Sequence, residues 1–295
     1  MKLLSFGSLN LDQVYRVRQF ARPGESVRAR ETQTFCGGKG LNLSIAAAAA
    51  GCEVWHAGKV GPDGAMLIER LIRSGVDTTL ISTGGTVSGH AIIQVNDAGE
   101  NQILIAPGAN GEITPQECEA AVRGFSAGDW LALQNETSCL PELLRLGKEQ
   151  GMTVALIPSP VDGELEAADL SAVSYFIMSR YDGSALTGRQ APDEICGELL
   201  RRFPAAHVVL NLGAQGSLYC TAHQTVHQHA YPSQIVDPTG AGDIFAGYFI
   251  ARMAAGEKPG RALRSAAKAA ALSTAHLGAC EYVPTPLEVE NAYRL

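Results

Sequence analysis

Three small residues and a carboxylate stand directly before an apolar helix in the segment DPTGAGD (237–243). Gly240, Ala241 and Gly242 would let backbone N–H groups converge on an anion, at a helix start whose dipole favours negative charge. Asp243, beside them, could accept a proton from a bound group. A simple turn is the alternative, since an Asp in the first turn stabilises a helix without any ligand. The segment is thus a candidate anion cradle with a base next to it.

A second glycine-rich turn, FCGGKGLNLS (35–44), carries a Lys and an Asn at the entrance to a predicted helix. It is not a P-loop, because Gly40 follows Lys39 where that motif requires Ser or Thr. Glycines allow the backbone to approach a ligand closely, and Lys39 and Asn42 would present polar groups to it. A flexible turn with no ligand remains the other interpretation.

Polar side chains also follow two predicted strands. Asn10 and Asp12 in GSLNLD (7–12) come directly after the first strand, and Glu136 ends LQNE (133–136) after a later one. Ligands of open α/β sheets bind at the carboxyl ends of the strands. Carboxylates accept hydrogen bonds and an Asn amide both donates and accepts. Together the three residues would suit several adjacent hydroxyl groups, as in a polyol site.

Short apolar runs alternate with helical patterns through the chain, which predicts βαβ units and a largely parallel sheet covered on both faces. The predicted strands are 3–6, 53–60, 130–134, 152–158, 174–178 and 207–212. The predicted helices are 41–51, 65–75, 140–151, 192–203, 241–255 and 260–276.

Two strand pairs lack an intervening helix, namely 14–20 with 27–35 and 88–95 with 101–106. We expect them to form a small separate sheet that covers the carboxyl edge of the main sheet as a lid. The predicted organisation is one α/β domain over 1–295, with two lid inserts at about 13–36 and 86–106.

Composition excludes several classes of function. A net charge of −7 without any Lys/Arg block gives no electrostatic support to a nucleic-acid or anionic-membrane partner. The longest apolar stretch, 45–50, is far shorter than the roughly 20 residues that span a bilayer. The seven cysteines are scattered and read as reduced thiols rather than a zinc site. We expect a cytoplasmic protein.

The motifs together resemble the ribokinase-like carbohydrate kinases (the PfkB superfamily), and most closely the ribokinase branch. The resemblance extends over essentially the whole chain. Its motifs are GSLNLD (7–12), RPGE (22–25), GGKGLN (37–42), PGAN (107–110), LQNE (133–136), LTG (186–188), LGAQG (212–216) and DPTGAGD (237–243). It implies a three-layer α/β/α domain with a mainly parallel central sheet and a small β-sheet lid.

The resemblance implies ATP-dependent phosphorylation of a small sugar hydroxyl, with D-ribose at O5 favoured. In this interpretation Asp243 is the base, and Gly240, Ala241 and Gly242 form the anion hole for the phosphoryl group. The residues that match the family's sugar contacts are Asn10, Asp12, Gly38, Lys39, Asn42 and Glu136, together with Asp243.

On the nucleotide side the resemblance assigns Gly213 and Gly216 to the turn around the adenosine, with Asn211 before them. Ser179 and Asp182 stand where the family has an Asn-x-x-Glu motif near the triphosphate and Mg²⁺. The shorter Asp182 carboxylate could still hold a metal-bound water.

The resemblance also implies a monovalent cation, K⁺, held by Asp237, Thr239 and Gly278 beside the anion hole. Tyr282 departs from this pattern, since a small hydroxyl residue is usual there. A homodimer formed through the lid is a further expectation. The alternatives are a kinase for a nucleoside or another sugar, and a catalytically weak sugar-binding or regulatory protein of the same fold.

Overall fold

Strands and helices alternate along the chain in a computed structural model that describes residues 1–293. The strands are β1 Lys2–Phe6, β2 Asn10–Arg16, β3 Glu31–Gly37, β4 Glu53–Lys59, β5 Asp77–Ser82, β6 Gly89–Val95, β7 Asn101–Ala106, β8 Trp130–Gln134, β9 Thr153–Ile157, β10 Tyr175–Ser179, β11 His207–Asn211, β12 Ser217–Cys220 and β13 Thr225–Gln228. The helices are α1 Lys39–Ala49, α2 Ala65–Arg73, α3 Pro115–Val122, α4 Leu140–Glu149, α5 Gly163–Ala167, α6 Arg180–Thr187, α7 Pro192–Arg202, α8 Ala241–Ala254, α9 Pro259–Ser273 and α10 Pro286–Asn291.

Nine strands form the central sheet, in the order β13-β12-β11-β10-β9-β8-β1-β4-β5. The seven strands from β11 to β5 run parallel, and only β12 and β13 at one edge are antiparallel. Successive residues of β1 enter different cores: Leu3 belongs to the core that includes Phe249 of α8, and Leu4 belongs to the core that includes Leu143 of α4. Helices therefore cover both faces, and the predicted three-layer fold class is confirmed.

A separate four-stranded sheet has the order β3-β2-β6-β7, in which β2 and β6 are parallel neighbours. The predicted boundary of its first strand, 14–20, is wrong. The strand β2 begins at Asn10, because it pairs with both β3 and β6 from that residue onward. Asn10 and Asp12 therefore belong to the small sheet and do not lie at the end of a central strand.

Two helices begin directly after a glycine whose backbone angle φ is positive. Gly38, with φ of 98°, precedes α1, which starts at Lys39 rather than at the predicted residue 41. Gly240, with φ of 74°, precedes α8. Lys39 and Ala241 are thus first-turn residues of their helices.

Helices α1 and α8 pack backbone against backbone. A Cβ added at Gly247 of α8 would lie 2.6 Å from the carbonyl oxygen of Leu43 and 2.7 Å from the Cβ of Ala46, both in α1. The absence of a side chain at Gly247 brings the two helix N-termini side by side.

Within residues 1–293, no helix combines the length and the apolar character that crossing a membrane requires.

We predict that Gly247→Ala lowers the free energy of unfolding by about 1–3 kcal/mol, because overpacking forces the two helices apart. Chemical denaturation measures the change. The matched control is Gly197→Ala in α7, where an added Cβ meets no atom of the described residues within 4 Å. That replacement should stabilise the helix by up to about 1 kcal/mol. Equal effects of the two replacements would contradict the packing argument.

Candidate active site

The turn between β1 and β2 supports the GGKG turn through Ser8. The carbonyl oxygen of Ser8 accepts a hydrogen bond from the Leu41 N–H at 3.1 Å. A Cβ at Gly38 would lie 2.6 Å from that same oxygen. A side chain at position 38 would therefore collide with the backbone as well as strain the positive φ.

The Ser8 hydroxyl also fixes Glu136, which follows β8. It donates to Oε2 of Glu136 at 2.5 Å and accepts a hydrogen bond from the Gly40 N–H at 3.4 Å. The other oxygen, Oε1, lies 3.9 Å from the Lys39 Nζ. Glu136 and Lys39, which come from distant parts of the sequence, are thus neighbours at the carboxyl edge of the sheet.

The half-buried carboxylate of Asp12 projects from β2 over Gly37 of the neighbouring strand. A Cβ at Gly37 would lie only 2.1 Å from Oδ2 of Asp12. Burial, reinforced by the charges of Glu136 and Asp243, raises the pKa of Asp12 to about 7. The small sheet therefore contributes a carboxylate that is within electrostatic reach of two carboxylates of the main domain.

Asp243, in the first turn of α8, faces the first turn of α1. Its Oδ2 accepts a hydrogen bond from Nδ2 of Asn42 at 2.9 Å. Burial raises the pKa of Asp243, and the Lys39 charge and the Asn42 hydrogen bond oppose that rise. In turn, Asp243 is the main cause of the raised pKa of Lys39. The two predicted motifs therefore meet around this carboxylate.

The start of α8 has the properties of an anion site. A Cβ at Gly240 would lie 2.3 Å from the carbonyl oxygen of Ala279, so only glycine allows this approach. At Gly242, in contrast, an added Cβ would meet no atom of residues 1–293 within 4 Å, so the backbone is open on that side. N–H groups in the first turn of a helix have no partner within the helix. Gly242 can therefore present its N–H to an anion, whereas the Ala241 N–H donates to the Pro238 carbonyl at 3.3 Å.

Two other predicted residues lie at the ends of adjacent strands, since Ser179 of β10 is in register with Asn211 of β11. Ser179 caps α6: its hydroxyl accepts from the Asp182 N–H at 3.1 Å and donates to Oδ2 of Asp182 at 2.6 Å. The charge of Asp182 contributes to the raised pKa of Lys39. This motif therefore lies along the same sheet edge as the Lys39 cluster.

The turn after β11 is closed by hydrogen bonds of its own. Oδ1 of Asn211 accepts from the Gly213 N–H at 2.9 Å, and the Leu212 N–H donates to the Gly216 carbonyl at 2.8 Å. A Cβ at Gly216 would lie 2.0 Å from the Gln228 carbonyl oxygen, so β13 packs directly on this turn.

Asp237 joins two loops beside the start of α8. Its Oδ1 accepts from the Thr239 N–H and its Oδ2 from the Gly278 N–H, each at 2.9 Å. Although burial acts to raise it, these hydrogen bonds hold the pKa of Asp237 below its ordinary value. Tyr282 stacks on His276 with ring centres 3.9 Å apart. Asp237, Thr239 and Gly278 thus meet in space, and the Tyr282 ring is packed on a neighbour.

Two residues with a structural part in the site were missed by reasoning from the sequence. Ser8 holds Glu136, and Asn110 binds the backbone of Leu9 and the side chain of Asn10. Both lie within motifs that carry the family resemblance. Membership of these motifs was the available signal, but the sequence does not show their partners, which are about a hundred residues away.

Comparison with known proteins identifies the family of this chain. The pattern of the pfkB family carbohydrate kinases matches residues 1–286. Ribokinase of Bacillus subtilis is 32% identical over 290 residues, which are 97% of each chain. Deoxyribokinase of Salmonella typhi is 30% identical over 265 residues, or 84% of each chain. The structure of Arabidopsis thaliana ribokinase complexed with ribose and ATP has a TM-score of 0.85 at 27% identity, covering 98% of this chain and 97% of that one.

The fold and the paired helix N-termini at one sheet edge define an α/β phosphotransferase that acts on a small molecule. The chain belongs to the pfkB family of carbohydrate kinases. It is accordingly an ATP-dependent sugar kinase.

We predict that sugar affinity falls as the pH is lowered, because the Asp12 carboxyl, with a pKa of about 7, loses its charge. Because the ionised carboxylate is the stronger acceptor and its population falls about tenfold between pH 8 and pH 6, KM should rise about tenfold over that range. Steady-state kinetics over this range gives KM and kcat separately. A constant KM would contradict the role of Asp12.

Asp12→Asn provides the control for this titration. It should raise KM at pH 8 and remove its pH dependence. Because the folded-state pKa of Asp12 lies above the unfolded value, its ionisation destabilises the folded protein as the pH rises through 7. The variant should therefore be more stable than the parent at pH 8, and this advantage should disappear as the pH falls toward 4.

Proposed function

We propose that this kinase phosphorylates D-ribose at O5. The hydrogen bond from Asn42 to Asp243 is the observation that carries the proposal, because it joins the GGKG turn to the helix start suited to a phosphoryl group. The full-length similarity to Bacillus subtilis ribokinase and to the Arabidopsis thaliana enzyme supports ribose as the acceptor. The choice of O5 as the phosphorylated oxygen is part of the proposal.

Asp243 is the proposed base. Its carboxylate accepts the proton of the sugar hydroxyl as the hydroxyl oxygen forms a bond to the γ-phosphorus of ATP. The bond from phosphorus to the β–γ bridging oxygen breaks, and ADP leaves with that electron pair. The Asn42 hydrogen bond and the Lys39 charge both favour the ionised form of Asp243, which the reaction needs before proton transfer.

The backbone of Gly240, Ala241 and Gly242 is the proposed anion hole. Phosphoryl transfer is catalysed mainly by positioning and by stabilising charge on the equatorial oxygens. Donors fixed at a helix start require no rearrangement during the reaction. The contact of Gly240 with Ala279 holds these donors in place.

The sugar is proposed to bind between the two sheets. Asp12 and Glu136 would accept hydrogen bonds from its hydroxyls, and Lys39 would donate to it. Asn10, Gly38 and Asn42 complete the proposed contacts. Because the proposed site contains the carboxylates of Asp12, Glu136 and Asp243 but only the one cation of Lys39, hydroxyl donors of a polyol match its charge better than an anionic sugar would.

The turn of Asn211, Gly213 and Gly216 is the proposed adenosine site, and Ser179 and Asp182 lie on the triphosphate side. Asp182 uses Oδ2 in the helix cap, and within residues 1–293 its Oδ1 accepts no hydrogen bond. A free carboxylate oxygen is a suitable partner for Mg²⁺ or its bound water. Mg²⁺ would supply charge neutralisation on the phosphates.

Asp237, Thr239 and Gly278 form the proposed monovalent-cation site. The carbonyl of Thr274, just after α9, already accepts from the Val236 and Asp237 N–H groups. The negative end of α9 and the Asp237 carboxylate make this corner favourable for a cation. The oxygen-rich donor set fits K⁺.

A homodimer through the small sheet is also part of the proposal. Ile103, Leu104 and Ile105 on β7 are each at least 50% exposed, and β7 is an edge strand of that sheet. Exposed apolar edge strands are normally covered.

The decisive experiment is an ATP-coupled assay with D-ribose, 2-deoxy-D-ribose, other pentoses, hexoses, fructose 1-phosphate, adenosine and inosine. The proposal requires the highest kcat/KM for D-ribose. Preference for 2-deoxy-D-ribose would follow the similarity to the Salmonella typhi enzyme instead. Tight sugar binding without turnover of any compound would indicate a binding protein of the same fold.

We predict that Asp243→Asn reduces kcat by a factor on the order of 10²–10⁴, because the general base is lost. Ribose affinity, measured by titration calorimetry, should change little, since an amide oxygen can still accept from Asn42. Asp193→Asn in the first turn of α7 is the matched control and should keep full activity. Turnover that survives in the Asp243 variant would refute the assigned base.

We predict that K⁺ raises turnover about fivefold or more relative to tetramethylammonium at equal ionic strength, a coupling in the usual range. The physical reason is that a bound K⁺ would neutralise the negative charge of Asp237, which lies next to the proposed anion hole. Asp237→Asn should abolish the difference between the two salts. Equal rates of the parent enzyme in both salts would show that no such cation site operates.

A further inference from the structure

The side chain of Asn110 lies buried where the small sheet joins the main domain. It belongs to the short helical turn Gly108–Glu112 that follows β7, and it is 1% exposed. It reaches the segment between β1 and β2, which is remote in sequence. A buried amide normally satisfies its hydrogen-bonding groups, so its partners determine which way it points.

The backbone of Leu9 fixes the orientation of the Asn110 amide. Oδ1 of Asn110 accepts from the Leu9 N–H at 3.0 Å, and Nδ2 donates to the Leu9 carbonyl at 3.3 Å. Only one of the two amide orientations satisfies both contacts, because the reversed amide would set donor against donor and acceptor against acceptor.

This orientation determines that of the next amide. The second proton of Asn110 Nδ2 is donated to Oδ1 of Asn10 at 2.8 Å. Asn10 is 5% exposed, and within residues 1–293 its Nδ2 has no hydrogen-bond partner and keeps some contact with solvent. Asn10 and Asp12 are two apart on β2, so they belong to the same face of the strand.

We propose that Asn110 is a positioning residue that makes Asn10 a hydrogen-bond donor to the sugar. This inference rests on the proposed function and deepens it. The small sheet then recognises the sugar with a donor at position 10 and an acceptor at position 12. The matching ligand offers an oxygen that accepts, such as a ring oxygen or a hydroxyl oxygen, next to a hydroxyl that donates.

The backbone of Asn110 has a separate structural role that a side-chain replacement leaves in place. Its carbonyl accepts from the Ser138 N–H at 3.0 Å and from the Ser138 hydroxyl at 3.3 Å. The effect of the side chain on Asn10 can therefore be tested while these contacts remain.

The test variant is Asn110→Asp, which has the same shape but no N–H group. One of its oxygens can still accept from the Leu9 N–H, but the other oxygen now faces Oδ1 of Asn10. The Asn10 amide should rotate to donate to the introduced carboxylate, which turns the amide oxygen toward the sugar. We expect KM and the calorimetric Kd for D-ribose to rise about tenfold, the cost of one hydrogen bond, while kcat at saturation stays within about threefold.

A double-mutant cycle separates positioning from general destabilisation. In an Asn10→Ala background, Asn110→Asp should cause no further rise in the Kd for D-ribose, although it should lower the melting temperature as it does in the parent. An equal rise in Kd in both backgrounds would overturn the inference. Asn110→Ser keeps a small polar group but removes the donor to Asn10, and it takes the place of the Asp variant if that protein does not fold.

Failure of the proposed function gives a different result from failure of this inference. A parent enzyme that does not phosphorylate D-ribose contradicts the proposed substrate. A parent that does so, with an unchanged Kd in both Asn110 variants, contradicts only the positioning role. Repeating the cycle with 2-deoxy-D-ribose identifies the acceptor: the penalty disappears if the 2-hydroxyl oxygen is the atom that Asn10 binds.

Discussion

The contact between α1 and α8 is the constraint on which the site depends. Gly247 lets the two helices approach until backbone meets backbone, one turn beyond Asp243. This contact sets the helix starts side by side, and each start carries a glycine-rich turn. The hydrogen bond from Asn42 to Asp243 and the electrostatic effect of Asp243 on Lys39 both follow from it. A wider separation would leave the two glycine-rich turns without a shared centre.

That arrangement concentrates negative charge. Besides burial, the charges of Glu136 and Asp243 raise the pKa of Asp12, and the charge of Glu136 also raises the pKa of Asp243, which the Lys39 charge opposes. The protein tolerates this because Ser8 anchors Glu136 and Asn42 anchors Asp243. Hydroxyl groups are good partners for such a cluster, since they donate hydrogen bonds without adding charge. The electrostatics of the free site therefore already favour a polyol over an anionic ligand.

Much of this architecture could be predicted from the sequence, because alternating apolar runs and glycine-bounded helices report local structure. The start of β2 at Asn10 could not be predicted in this way. Its register depends on pairing with β6, whose residues lie some eighty positions later. The orientations set by Ser8 and Asn110 have the same origin, since each is a buried contact across about a hundred residues. The spacing within a motif indicates which polar residues belong to the site. It does not show which distant residues orient their side chains.

The position of β2 also explains how the two sheets would act on one ligand in the proposed complex. Asn10 and Asp12 belong to the small sheet, whereas Lys39, Glu136 and Asp243 belong to the main domain. A sugar that bonds to both groups links the sheets through its own hydroxyls. The connection between β1 and β2 spans only Gly7, Ser8 and Leu9, and Asn110 holds Leu9 at both backbone groups. The small sheet is therefore attached to the main domain at the point where the residues proposed to bind the sugar begin. The placement of the sheet and the proposed recognition of the sugar thus depend on the same few hydrogen bonds.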